Sequence, residues 1–195
     1  MSSAGEEEIS GKRVHLVEYD PDWPRQFLAE AVRLRSVLAR DALAVEHIGS
    51  TAVPGLTAKP TLDIMIGVAA LEEDRLVTNS GRLAGLGYSY DARARADEPN
   101  RWVFRKGPSD ETEMRTHHLH VTALGGPYWR RILAFRDHLR SNEADAAAYV
   151  SLKRSLAERF ASDRRSYTRA KGNFVVRIEG KALARRASQY GLPPP

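Results

Sequence analysis

The chain has 195 residues, enough for one substantial core, and its balance of 42% hydrophobic and 28% charged residues is that of a soluble globular domain. It has no cysteine, which excludes a disulfide framework, a zinc-thiolate centre and a thiol nucleophile. The net charge of +5 suits an anionic ligand, but the arginines are spread along the chain and form no basic run, so nucleic-acid binding is permitted and not indicated.

Residues 1–12 are small, polar and acidic without periodic apolar positions, and read as a disordered N-terminus. That start lacks a signal-peptide core, and no apolar stretch approaches the roughly 20 residues that cross a bilayer. The expectation is a cytoplasmic protein without a membrane partner. A single domain is expected over residues 13–190, with C-terminal helices from about residue 127.

Val14 to Val17 suits a short edge strand. Asp20-Pro-Asp-Trp-Pro then reads as a helix start, with Asp22 or Asp20 as cap. Phe27, Ala31, Leu34 and Leu38 give the helix that follows one buried stripe, with Trp23 as a packing anchor.

The stretch from His47 to Val68 carries the chemistry. Gly49 allows a sharp turn, and Ser50 and Thr51 follow with the hydroxyl and N–H groups that hold phosphate or carboxylate oxygens. Pro54-Gly55 makes a second turn, Lys59 brings a cation, and Pro60 forces Lys59 to be extended. In the strand that follows, Leu62, Ile64, Ile66 and Val68 share an aliphatic face, and Asp63, Met65 and Gly67 share the other. A desolvated Asp63 needs a cation, either a metal or Lys59. The same residues also fit plain loop glycines and a structural ion pair.

Leu71 to Leu86 suits a helix closed by Gly85 and Gly87, and Tyr88-Ser-Tyr a strand. Residues 91–100 read as a mobile polar loop, a candidate lid. Trp102 to Lys106 makes a strand that carries Arg105 and Lys106 at its end, and residues 107–114 form a second polar loop. From Arg115 to Ala123, alternation puts His118, His120 and Thr122 on one face. Two histidines so spaced suit a shared metal, phosphate binding, or a solvated sheet face hydrogen-bonded to its neighbours. Helices are expected over Pro127–Arg140 and Glu143–Phe160. A third runs from about Arg164 through Lys171, with the segment to Ser188 as its extension, and residues 191–195 form a stiff tail. Tyr167 and Lys171, four apart, share a helical face; Lys153 and Lys171 stand out as helical lysines to weigh against ordinary surface charge.

The run from His47 to Ile64 closely resembles the signature of the GrpB family, also called UPF0157, of the nucleotidyltransferase superfamily. The similarity extends to Tyr19-Asp-Pro-Asp-Trp, His118-Leu-His, Phe135-Arg-Asp-His-Leu-Arg and Tyr167-Thr-Arg-Ala-Lys171, and covers roughly residues 14–176. The resemblance implies an α/β (α+β) fold, a small mixed sheet flanked by helices with a C-terminal helical extension, around a nucleoside triphosphate. It also implies a divalent metal, magnesium or manganese, at Asp63 and His120. Phosphate contacts would come from Gly49, Ser50, Thr51, Lys59, Arg105, His118 and Lys171, with His120 the first choice of general base. The superfamily pattern pairs two carboxylates one residue apart; Met65 stands at the second position. The expected function is transfer of a nucleotidyl group to an unspecified acceptor. The alternatives are a non-catalytic nucleotide or phosphometabolite sensor and a partner module of coenzyme A metabolism, since similar domains occur fused to dephospho-coenzyme A kinase.

Overall fold

The structure, a computed structural model, describes residues 14–107 and 115–189. The expected disordered N-terminus, most of the second polar loop and the C-terminal tail lie outside the described residues.

Among the described residues five strands form one mixed sheet: β1 (Ala44–Ile48), β2 (Leu62–Val68), β3 (Tyr88–Tyr90), β4 (Trp102–Lys106) and β5 (His117–Ala123). Their spatial order is β1-β2-β5-β4-β3, with β2 and β5 parallel and the other pairs antiparallel. The aliphatic face expected for β2 packs with Leu119, Val121, Trp102 and Phe104 beneath α1 (Trp23–Leu38) and α2 (Glu73–Ala84). Ile64, Ile66 and Leu119 are wholly buried; burial of each such side chain is worth roughly 1.5–3 kcal/mol.

The other sheet face is covered from the C-terminal half. Met65 and Ile48 pack on Tyr128 and Trp129 of α4 (Pro127–Ser141). Next come α5 (Glu143–Arg159), α6 (Arg164–Ala170) and α7 (Gly172–Gln189). Val53 and Leu56, in the loop after β1, are buried with Leu139, Tyr149, Phe174 and Ile178 of these helices. The Gly-Ser turn is therefore clamped between the sheet and the helical extension. Among the described residues no helix is long and apolar enough to cross a membrane.

Four details differ from expectation. Val14–Val17 is no strand, only a single bridge between Val17 and Ala58. Each N–H donates to the other's carbonyl, and the next pairing would need the N–H that Pro60 lacks. Residues 92–97, expected in a loop, form helix α3 (Ala92–Asp97), because Asp91 accepts from the Arg93 N–H and Ala-Arg-Ala-Arg is a good helical run. Asp22 occupies the cap position of α1 without capping it; its carboxylate turns outward to Arg25 and Gln26. The last helical segment breaks at Lys171 into α6 and α7.

Candidate functional site

The site is built where the turn after β1 meets the polar face of β2 and β5. Ile48, Asp63, His118 and Arg105 are successive cross-strand partners, so they form one row across the sheet. Gly49, at φ 70°, closes over the end of that row. A Cβ added there would stand 2.8 Å from the Asp63 Cβ and 2.9 Å from its Cγ, so only glycine lets the turn lie against the carboxylate.

Asp63 is tied by imidazoles. His118 Nδ1 is 3.1 Å from Asp63 Oδ1, and His120 Nε2 is 3.9 Å from the same oxygen. Burial pushes the Asp63 carboxyl up, but the two histidines more than offset it and hold the group far below the ordinary carboxylate range. Arg101 Nη1 sits 2.9 Å from His120 Nδ1, and the Tyr128 hydroxyl 3.2 Å from it. A guanidinium only donates, so His120 Nδ1 accepts and its proton lies on Nε2, facing Asp63. Burial holds the ring's pKa down, so it stays neutral.

Three amines surround the turn and Asp63. Lys153, on α5, is buried, donates to the Ser50 hydroxyl at 3.2 Å and to the Thr57 carbonyl, and rests 4.7 Å from the Tyr149 ring centre. Burial and the neighbouring Lys171 lower its pKa to about 7. Lys171 lies 4.4 Å from the Tyr167 ring centre; burial and the charge of Lys59 bring it to about 8, against the pull of Asp63. Lys59 is also lowered by burial and also feels Asp63. Lys59 and Lys171 thus share one carboxylate, Lys153 adds a third amine at Ser50, and with His118 already bound to Asp63 the site is short of negative charge.

Of the residues expected at the site, Gly49, Ser50, Lys59, Asp63, His118, His120 and Lys171 converge here. Arg105 lies beside His118, with its guanidinium 2.5 Å from Asp91. Thr51 turns away: it is buried, and its hydroxyl is 3.0 Å from His47 Nε2, which stacks on Phe27. Arg101, Tyr128 and Tyr149 belong to the site without having been picked out, and Lys153 earns a place that its helical position alone did not grant. Tyr149, Lys153 and Leu156, one turn apart on α5, are all buried; a lysine within an apolar stripe is the signal that marks it.

The donor set does not fit a resident magnesium or manganese ion. Asp63 Oδ1 already accepts from His118, with the His120 ring 3.9 Å away, its other oxygen lies against Gly49, and Met65, at the second carboxylate position, is wholly buried among Ile48, Tyr128 and Trp129. For His120 to ligate through Nε2, its Nδ1 would have to carry a proton towards the Arg101 N–H. Among the described residues no three His, Asp or Glu side chains are placed to hold a metal ion.

Two hollows flank the site. One, of about 310 Å³, opens between α4 and α7 and reaches Arg101, Tyr128, Tyr149 and Lys171. The other, of about 610 Å³, lies behind the turn against α1 and includes Arg136 and Arg140. Both arginines bind backbone there: Arg136 Nη1 donates to the His47 carbonyl at 2.9 Å and Arg140 Nε to the Ala52 carbonyl at 2.8 Å. They brace the two ends of the Gly49–Ser50 turn.

The GrpB protein family profile matches residues 13–181. A UPF0157 protein of Pseudomonas aeruginosa is 43% identical over 175 residues, spanning 88% of this chain and 69% of that protein. The crystal structure of the GrpB protein of Enterococcus faecalis superposes with a TM-score of 0.78 at 36% identity, covering 88% of this chain and 99% of that one. A dephospho-CoA kinase of Mycolicibacterium paratuberculosis is 31% identical over 182 residues, across 84% of this chain and 44% of that protein. With the profile running from before the first bridge to within α7 and the fold shared, the chain belongs to the GrpB family.

Proposed function

We propose that the cleft binds a phosphorylated small molecule, a nucleoside triphosphate foremost, and supplies the positive charge from lysines in place of a divalent ion. The observation that carries this is the gathering of Lys59, Lys153 and Lys171 around Ser50 and the single carboxylate of Asp63. Burying amines beside one another costs free energy unless an anion joins them. A triphosphate offers that charge, and the N–H groups of the Gly49–Ser50 turn together with the Ser50 hydroxyl supply directional donors. His118, on the neighbouring strand, adds an imidazole to the same rim.

The geometry favours binding without turnover. Asp63 is occupied by imidazoles, His120 presents a proton and no free lone pair to the cleft, and Met65 removes the second carboxylate. A GrpB sensor of nucleotide or phosphometabolite level is the function these features support best. Nucleotidyl transfer is the second reading. It is favoured by Lys59 and Lys171 beside Asp63, where cations would offset charge developing on a departing pyrophosphate. The dephospho-CoA kinase relative gives a third direction, in which the phosphorylated ligand belongs to coenzyme A metabolism.

Isothermal titration of ATP in magnesium and in excess chelator tests the reading, with pyrophosphate followed in the same samples. The expected result is binding that survives chelation, is lost in Lys153→Met, and releases no pyrophosphate. Strict dependence on the metal would refute the lysine-based site, and pyrophosphate release would restore the transferase.

A further inference from the structure

The 310 Å³ cleft lined by Lys171 is lined also by two carboxylates, Glu98 and Glu179. Arg131 is held by Glu98 at 2.8 Å, while its Nε is 3.7 Å from Glu179, beyond hydrogen-bond distance. Glu179 is buried at 6% exposure, and among the described residues that long ion pair is its one charged contact. Burial raises its pKa, with Arg131 opposing and Glu98 adding to the shift. No described side chain donates to Glu179 within hydrogen-bond distance, and its oxygens are not among the fully enclosed unpaired atoms, so they open onto the cleft and can accept from a molecule bound there. The Tyr128 ring, with the Arg101 and Arg131 guanidinium carbons 5.1 and 5.4 Å from its centre, is held rigidly beside this space, so the cleft is preorganised.

We propose that this cleft receives the nucleobase of the bound nucleotide, and that Glu179 selects bases carrying an exocyclic amino group by accepting its hydrogen bond. The inference rests on the phosphate-binding reading above. Lys171 lines both the amine cluster and the cleft, which puts phosphates and base on one continuous path. The volume, at the low end for small-molecule sites, suits one nucleoside and little more. Adenine and cytosine present an amino group where hypoxanthine and uracil present a carbonyl oxygen. Against a carboxyl oxygen that carbonyl leaves both acceptors unpaired.

The full chain is titrated with ATP, ITP, CTP, UTP and inorganic tripolyphosphate, as wild type and as Glu179→Met, which removes the acceptor at similar size. The wild type should bind ATP over ITP and CTP over UTP by roughly tenfold or more, the worth of one hydrogen bond to a charged group. In Glu179→Met both preferences should collapse while tripolyphosphate binds as before. Equal affinity for ATP and ITP in the wild type, with tripolyphosphate still bound, overturns the base-reading role and leaves the phosphate site standing. Preferences that persist in the variant overturn it too. If neither tripolyphosphate nor any nucleotide binds, the phosphate site fails and takes this inference with it.

Discussion

Arg101 donates to Nδ1 of His120 across 2.9 Å, and this fixes the imidazole proton on the nitrogen that faces Asp63. The consequence is a histidine that serves as a neutral donor and not as a base. Arg101→Met should free Nδ1 and remove a positive charge that holds the ring's pKa down, so that pKa should rise. Nitrogen-15 NMR of His120 reads both effects: the Nε2–H tautomer in the wild type, and titration at higher pH in the variant. A wild-type spectrum with the proton on Nδ1 would remove the argument against His120 as a metal ligand.

Gly49 and Gly55 both have positive φ, yet only one is pressed against the site. At Gly55 an added Cβ meets nothing within 4 Å, whereas at Gly49 it meets the Asp63 side chain. Gly55→Ala should cost about 1–2 kcal/mol, the price of the left-handed backbone alone. Gly49→Ala should cost more, because the carboxylate must also move away from His118. Denaturant unfolding measures the difference. Equal losses in the two variants would mean that the contact with Asp63 is not tight.

Local patterning made much of this legible. The period-two aliphatic face of β2, the helical stripe of α1 and the Gly49 turn each follow from a few neighbouring residues, and all three are present. What stayed hidden depends on tertiary placement. Thr51 reads like Ser50, but the turn sends its hydroxyl inward to His47. Arg101 and Tyr128 are 27 positions apart and meet on His120 only once α4 crosses the sheet. Glu179 looks like any surface glutamate of α7 until Arg131 and the cleft wall enclose it.

His47 links this packing to acid stability. Burial, with Arg140 and Arg136 nearby and Asp63 opposing, lowers its pKa from 6.5 to about 4. The unfolded chain therefore binds an extra proton between those values, and stability is full above about pH 6.5 and lost as pH falls towards 4. The loss amounts to about 3 kcal/mol at most. His47→Gln keeps a partner for Thr51 without the titration, so its unfolding free energy should vary less over that window. Parallel pH profiles for wild type and variant would assign the acid loss to other groups.

The same sign reasoning, applied to the amines, gives the pH dependence of binding. In the free protein Lys153 and Lys171 sit at about 7 and about 8, both lowered first by burial. A triphosphate prefers the charged amines, so binding raises both values and takes up protons. Affinity should be greatest below about pH 7 and fall as each free amine loses its proton, by up to about tenfold per pH unit per amine. Titrating ATP between about pH 7 and about pH 9, in buffers of different ionisation enthalpy, counts the protons directly. Lys171→Met should remove the upper step and keep the lower one, because Lys153 still touches Ser50. Lys171 also lowers Lys153, so in that variant the lower step should move to higher pH. A flat profile with no proton uptake would mean that these amines do not meet the phosphates, whatever else the cleft holds.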